Sequence, residues 1–382
     1  MSNELKQQYL ARVRSRYFKS TRRQKTLIID EFCQVCDISR KHAIKLLNED
    51  MADRPKRPGP KPFYGPDIHE HVLFLWQAMS RMCSKKMVEA MPYWLEFYDA
   101  HSHSKHLLKQ ISASTIDRIL QKHRLEWRRG KSSTEPSLIK NKIPIQLLDH
   151  DVKEPGFIEA DTVAHCGTSL AGEFINTITM TDIYSGWTEN RAMWKKESET
   201  VLSAIKSIEV SLPFEVKGFA SDNGNEFLNH DLHSYFFNRK NRVHFVRRRP
   251  YQKNDNAHVE QKNWTHVREL FGYERFESLS QVNFMNEIYE NLWNPLWNYF
   301  TPVMKLKTKT RVGGKIIKVY DKPKTPYHRL LDSGLLKDWQ RAQLEENYKK
   351  LNPFMLKKQL DLKLKWFMKI VEVRMKSSSK AG

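Results

Sequence analysis

The chain of 382 residues carries 40% hydrophobic residues and ten Trp against a formal net charge of +21, a globular composition with length enough for two or three domains. It holds no run of about eighteen apolar residues, and its first residues, MSNELKQQYLARVRSRYF, lack the apolar stretch of a secretory signal, so a cytoplasmic protein with no membrane partner is expected. Four Cys are too few to staple a chain of this length, and the lone C-x-x-C of Cys33 and Cys36 has no second ligand pair at matching spacing, so no structural zinc site is expected.

The charge is unevenly spread: residues 1–62 carry +8, residues 63–150 carry +4, residues 151–300 carry −5 and residues 301–382 carry +14. Basic flanks around an acidic middle suit DNA, whose phosphates are bound through Lys and Arg with release of counterions. In chain order, residues 22–48 show two short helical patterns. Ile28, Phe32, Val35 and Cys36 keep one face apolar, and Ala43, Ile44 and Leu47 do so after a break at Asp37-Ile38-Ser39. Ser39 is a candidate N-cap, and Ser39, Arg40, Lys41 and His42 are the candidate DNA-binding residues of a helix-turn-helix domain over residues 1–52. Five Pro in residues 53–66 forbid a continuing helix and make a basic linker.

Residues 67–129 are again helical in spacing and are expected to form a second DNA-binding domain. Their last segment, ISASTIDRILQKHR, places Ser114 and Asp117 as a capping box over a second helix-turn-helix. GKSSTEPS, residues 130–137, opens a linker that runs to residue 150. From 151 to 300 the character changes to α/β with a mixed sheet. Strands are expected over Gly156–Val163, Glu173–Ile183 and Trp187–Trp194, then from Val216 to a close at Asp222, and over Val243–Val246. Helical spacing falls over Glu199–Val210, His230–Asn238 and from about Asn256.

Three acids stand out in this frame. Asp161 falls within the first strand, Asp222 closes the fourth, and Glu260 lies a turn into the last helix, with 37 residues between Asp222 and Glu260. If the first and fourth strands are neighbours, the two Asp project side by side and the helix brings Glu260 across. Such carboxylates repel one another and raise their own pKa values unless divalent cations join them. Two Mg²⁺ or Mn²⁺ ions on the three acids suit an in-line phosphoryl displacement. Asp182 reads as a turn residue, His165 as a partly buried histidine, and Glu226 stands too close to Asp222 to replace Glu260.

IEADT around Asp161, SDNGNEF around Asp222 and RRRPYQKNDNAHVEQKNWTHVR around Glu260 resemble, in that order over about 120 residues, the Asp-Asp-Glu transposases and integrases of bacterial insertion sequences. VYDKPKTPYHRLL, residues 319–331, resembles endings in the same family. The resemblance implies a ribonuclease-H-like catalytic core with N-terminal helix-turn-helix modules, hydrolysis at an element end, and attack of the freed 3′-hydroxyl on target DNA. It implies terminal inverted repeats and target DNA as partners, a homodimer or larger assembly on them, and a nucleoid-associated location. Arg247, Arg248, Arg249, Lys253, Lys262 and Asn263 are placed to hold phosphates near the acids. No His-His-Cys-Cys module of the retroviral type is present, and the 37-residue interval is slightly longer than the common one. A structure-selective nuclease on the same fold, or a DNA-binding regulator with a retired core, remains open.

Residues 301–382 form a basic region with hairpin character around Gly313-Gly314 and a helical stretch, Leu336 to Val373, broken at Asn352-Pro353. Their charge points to DNA contact or subunit bridging. With six to ten phosphate contacts from the flanks, DNA affinity is expected to fall by roughly 10³–10⁵ between 50 and 200 mM salt. A salt-independent affinity in a fluorescence-anisotropy titration contradicts the polyanion reading.

Overall fold

The computed structural model describes residues 3–48, 63–125, 152–221, 224, 226–247, 262–312 and 315–378. The chain divides into two compact units, Met1–Phe63 and Tyr64–Gly382. In the first, helices α1 (Asn3–Phe18), α2 (Arg22–Cys36) and α3 (Arg40–Asn48) share a small core. α1 lies outside the two helical patterns read above, although Leu10, Val13 and Tyr17 have helical spacing and all three are buried. Asp37 ends α2 in the left-handed region at φ 53°, its N–H donating to the Cys33 carbonyl. Two expected core positions are exposed, Val35 at 48% and Ile44 at 38%. The rows Ile28-Phe32-Cys36 and Ala43-Leu47, spaced by four, enter the shared core together with Ile29.

The second unit is built on a five-stranded sheet of order β3-β2-β1-β4-β5. Its strands are β1 (Phe157–Ala164), β2 (Ile175–Asp182), β3 (Thr188–Trp194), β4 (Gly218–Ser221) and β5 (His244–Arg247). β2 runs antiparallel to β1 and β3, while β4 runs parallel to β1 and β5. This is a mixed α/β sheet, as expected for residues 151–300. Every residue of β2 is buried, as a central strand covered on both faces requires. On one face Arg191 of β3 reaches Ser207 and Ser211 of α8 (Ser198–Ser211). The neighbouring Asn190 points the other way, to α10, whose π-helical turn Asn263–Arg268 runs into Glu269–Phe271. Helix α9 (His230–Phe237) starts from Asn229, whose side chain accepts the Leu232 N–H, and carries Phe236 to the ring of Phe245 in β5.

The second helical segment does not stand apart from this sheet. Helices α4 (Pro66–Ala78), α5 (Ser84–Leu95), α6 (Ser102–Gln110) and α7 (Ala113–Leu125) belong to the same unit and share its apolar core. The expectation of a separate domain over residues 67–129 is corrected accordingly: Trp94 of α5 donates its Nε1–H to the Phe300 carbonyl at 3.2 Å and packs edge-on against Phe354. The cap of α7 is Ser112, not Ser114, because it is the Ser112 hydroxyl that accepts the Thr115 N–H at 3.2 Å.

The basic C-terminal region is likewise integral. Strands β6 (Leu306–Val312) and β7 (Lys315–Tyr320) pair antiparallel, with Val312 opposite Lys315 around the expected Gly313-Gly314 turn, whose two residues lie outside the described ones. Helices α12 (Pro326–Ser333), α13 (Asp338–Lys350) and α14 (Pro353–Ser378) follow, the break at Asn352-Pro353 falling where the sequence places it. The Asn352 side chain accepts the Phe354 and Met355 N–H groups. α14 buries Leu356, Leu360, Phe367 and Val371, and the Phe367 ring lies against Phe271, Phe276 and Phe284.

β3 is an edge strand, and unpaired edge groups invite association with other chains. Here they are paired by side chains of α11, which is α-helical over Leu279–Ile288, π-helical over Tyr289–Trp293 and α-helical again over Asn294–Phe300. Asn286 exchanges two hydrogen bonds with the backbone of Ala192, and Asn298 does the same with Thr188, at 2.6 to 2.9 Å. Between them Asn294 donates to Glu189 and Glu290 pairs with Arg191. Residues 286, 290, 294 and 298 are spaced by four, a row that drifts by roughly 40° per step on a pure α-helix. The wider π turn cancels part of that drift and keeps the polar row on the strand. Asn298→Ala strands the buried Thr188 N–H and C=O, and is expected to cost about 1–3 kcal/mol for each group. An unchanged urea midpoint contradicts this account of the edge.

Candidate active site

Parallel pairing sets Ala160 of β1 beside Ser221 of β4, and Ser221 beside Arg247 of β5, so β4 and β5 end in one row beside the middle of β1. Asp161 follows Ala160 and stands opposite Thr179 of β2. Its Oδ2 accepts a hydrogen bond from Asn263 Nδ2 at 2.6 Å, and its Oδ1 accepts the Thr162 N–H at 2.8 Å. The Asn263 Oδ1 is buried and has no hydrogen-bond partner among the described residues. Asp222, Glu260, Arg248, Arg249 and Lys253 lie outside the described residues. Among the described residues no group of three or more His, Cys, Asp or Glu stands together as a metal-holding set.

A row of residues that sequence reasoning missed ties α10 over Asp161. Asn190 donates its Nδ2–H to Thr179 Oγ1 at 2.9 Å, leaving Oδ1 to meet His266 Nδ1 at 3.0 Å. The His266 ring sits against Trp293 and Trp297, with centroids 5.4 and 4.3 Å away. Burial, then Lys262 and Lys86, push the His266 pKa well down, so the ring is neutral and Nδ1 is the donor to Asn190. Glu159, two residues before Asp161 on the same strand face and opposite Thr181, is fully buried and was also missed. Glu226, 7% exposed, accepts from the Thr162 hydroxyl at 3.3 Å and pairs with Lys196. A Cβ on Gly224 would come within 2.4 Å of the Glu226 carboxylate oxygens, so a larger residue there would make that carboxylate shift.

The other sequence-named residues take varied places. Arg247 is buried at the end of β5, and Asn263 spends its donor on Asp161. Lys262 lies inside, 7% exposed, with Nζ 4.2 Å from the Trp297 ring centroid, so it is no part of a solvated basic rim. In the first unit Ser39, Arg40, Lys41 and His42 are exposed at the start of α3, where the Ser39 hydroxyl accepts the His42 N–H at 3.4 Å and Arg40 pairs with Asp30 of α2. Asp182 holds a turn: it accepts from Gly156 N–H, Ser185 N–H and the Ser185 hydroxyl, while burial raises its pKa against those bonds.

His165 is fully buried, bonded through Nε2 to Thr177 at 2.9 Å. Burial lowers its pKa to about 3, with Arg268 adding to the shift. Unfolded, it takes up a proton near pH 6.5. The unfolded chain therefore binds more protons between those values, and stability is full above about pH 6.5 and falls as pH drops toward 3. His165→Gln keeps the bond to Thr177 without the titration, and is expected to make the acid loss shallower by up to about 1.4 kcal/mol per pH unit. Glu189, raised by burial to about 7, acts oppositely in both chains and cancels in the comparison. Parallel acid limbs in urea unfolding contradict this role.

No family model matches the chain. The HTLV-2 integrase catalytic core domain in complex with magnesium is 17% identical over 31% of this chain and 70% of that one, with a TM-score of 0.25. The catalytic core domain of BIV integrase is 15% identical over 47% of this chain and 95% of that one, with a TM-score of 0.30. At those scores the likeness adds nothing to the strand order, on which the fold assignment stands. The uncharacterized protein y4rM of Sinorhizobium fredii (strain NBRC 101917 / NGR234) is 34% identical over 323 residues, 82% of this chain and 91% of that one. Identity at that level along most of both chains places the present chain in one family with y4rM.

Proposed function

We propose that the chain is an Asp-Asp-Glu transposase that binds element ends, cuts a phosphodiester there and joins the freed 3′-hydroxyl to target DNA. The observation that supports this reading is that the chain on either side of the two undescribed acids comes to Asp161. Ser221, the residue before Asp222, lies one strand away beside Ala160, and consecutive Cα atoms are about 3.8 Å apart. Asn263, three residues after Glu260, holds the Asp161 carboxylate itself.

The donor set fits a hard cation: the Asp161 carboxylate supplies oxygen, and Asn263, bonded to it, carries a buried Oδ1 with no partner among the described residues. Asp161, Asp222 and Glu260 would hold two Mg²⁺ or Mn²⁺ ions, which supply a Lewis acid and an activated oxygen nucleophile. Asn263 fixes the rotamer of Asp161, and the Asn190–His266 link fixes the helix that carries Asn263. Arg248, Arg249 and Lys253 hold phosphates beside the acids, with Arg247 buried at the end of β5, while residues 1–52 read the element end through Ser39, Arg40, Lys41 and His42. Residues 53–66 and 130–150 act as linkers, residues 67–129 and 301–382 frame the core of residues 151–300, and a homodimer or larger assembly pairs two ends.

Asp161→Asn is expected to keep DNA binding and lower metal-dependent cleavage on the order of 10³-fold or more. Asn263→Ala is expected to lower cleavage by about 10–100-fold with binding retained. Supplying a pre-cut end and a plasmid target tests joining. Wild-type cleavage by Asp161→Asn refutes the site, and cleavage without any joined product assigns a nuclease instead.

A further inference from the structure

A cavity of about 210 Å³ in the second unit is lined by Lys86 of α5, Lys262, Lys305, Trp297, Thr181 and Asp182, with Thr265, Tyr320 and apolar side chains completing it. Two of these amines share one ring: Lys262 Nζ is 4.2 Å from the Trp297 centroid and Lys86 Nζ is 5.7 Å from it. Lys262 is 7% exposed, and its Nζ has no hydrogen-bond partner among the described residues. An indole face offsets only part of the cost of burying such a group. Lys305 Nζ donates to the Tyr184 carbonyl at 2.7 Å and retains further N–H groups. Asp182, a carboxylate in the same lining, already accepts three hydrogen bonds from Gly156 and Ser185 in its turn. The wall thus gathers amine donors from three distant stretches of chain; Lys305 has the Asp182 and Asp321 carboxylates near it, whereas the Lys262 amine has no hydrogen-bond partner among the described residues.

We propose that this cavity binds a phosphate-class oxyanion, with Lys262, Lys86 and Lys305 as its donors. An anion seated there ties α5, the start of α10 and the segment before β6 to one charge, and gives the buried Lys262 a partner that it lacks among the described residues. The site needs no catalytic acid, so it stands or falls independently of the cleavage reading. The same chemistry is offered by free inorganic phosphate and by a phosphodiester of bound DNA.

Two titrations on the full chain, neither reading cleavage, test the site. In the first, inorganic phosphate is titrated into wild type and Lys262→Met by calorimetry, and the variant is expected to bind about tenfold more weakly or worse. In the second, the salt dependence of duplex oligonucleotide binding is measured by anisotropy without divalent metal. A slope of log affinity against log salt that is shallower by about one in the variant assigns the occupant as a phosphodiester. A loss confined to the first titration assigns free phosphate. Equal phosphate affinity and equal salt slope in the two proteins overturn the proposal, as does a wild type that binds no phosphate and shows no change of slope. Lys86→Met, at a half-buried position, supplies the same comparison if Lys262→Met does not fold.

Discussion

Asp161 is useful only if its carboxylate is held in one orientation on the face of a core strand, and that orientation depends on a helix being pinned to the sheet. The pin is the contact between a neutral His266 and Asn190. Asn190 has one donor end and one acceptor end, and β2 uses the donor through Thr179. The acceptor end can then be met only by a ring nitrogen that carries hydrogen. Burial between indole rings keeps that ring uncharged, so the link is set by hydrogen bonding and not by charge. His266 and Asn263 are three residues apart in the π-helical turn, which lets one helix grip the sheet and Asp161 together.

Around that pin the second unit is closed by polar side chains that replace backbone. The edge of β3 is covered by Asn286 and Asn298, which present to Ala192 and Thr188 the donor and acceptor that a sixth strand would offer. α14 then straps the assembly, its Phe367 against Phe271 and Phe276 below the sheet helix and its Phe354 against Trp94 of α5. The basic tail is therefore part of the scaffold along its apolar stripe, and its charge is carried on the remaining faces. The same strap makes α4 to α7 a wall of the core, and Lys86 reaches Trp297 from that wall.

What was legible in the sequence was governed by local physics. The expected strands Glu173–Ile183 and Trp187–Trp194 fall on β2 and β3, and Asn352-Pro353 marked the start of α14. Asp161 could be singled out because a carboxylate inside an apolar strand is costly. The contacts that orient it could not, because Asn190 and His266 lie 76 residues apart and each alone reads as an ordinary polar residue. Asn286 and Asn298 are similar: their value lies in Ala192 and Thr188, roughly a hundred positions away, and a π turn sets their phase. Lys262 inverted its expected exposure because a long aliphatic stem and an indole face let an amine be buried where charge alone argues for solvent.

The central claim is that Asp222 and Glu260 close on the Asp161 carboxylate. Its most direct measurement is the anomalous diffraction of crystals soaked in Mn²⁺. The account predicts peaks bonded to Asp161 together with Asp222 and Glu260, at carboxylate-to-metal distances of about 2.0–2.2 Å. Mn²⁺ bound elsewhere, with the three carboxylates apart and Asp161 free of metal, contradicts it.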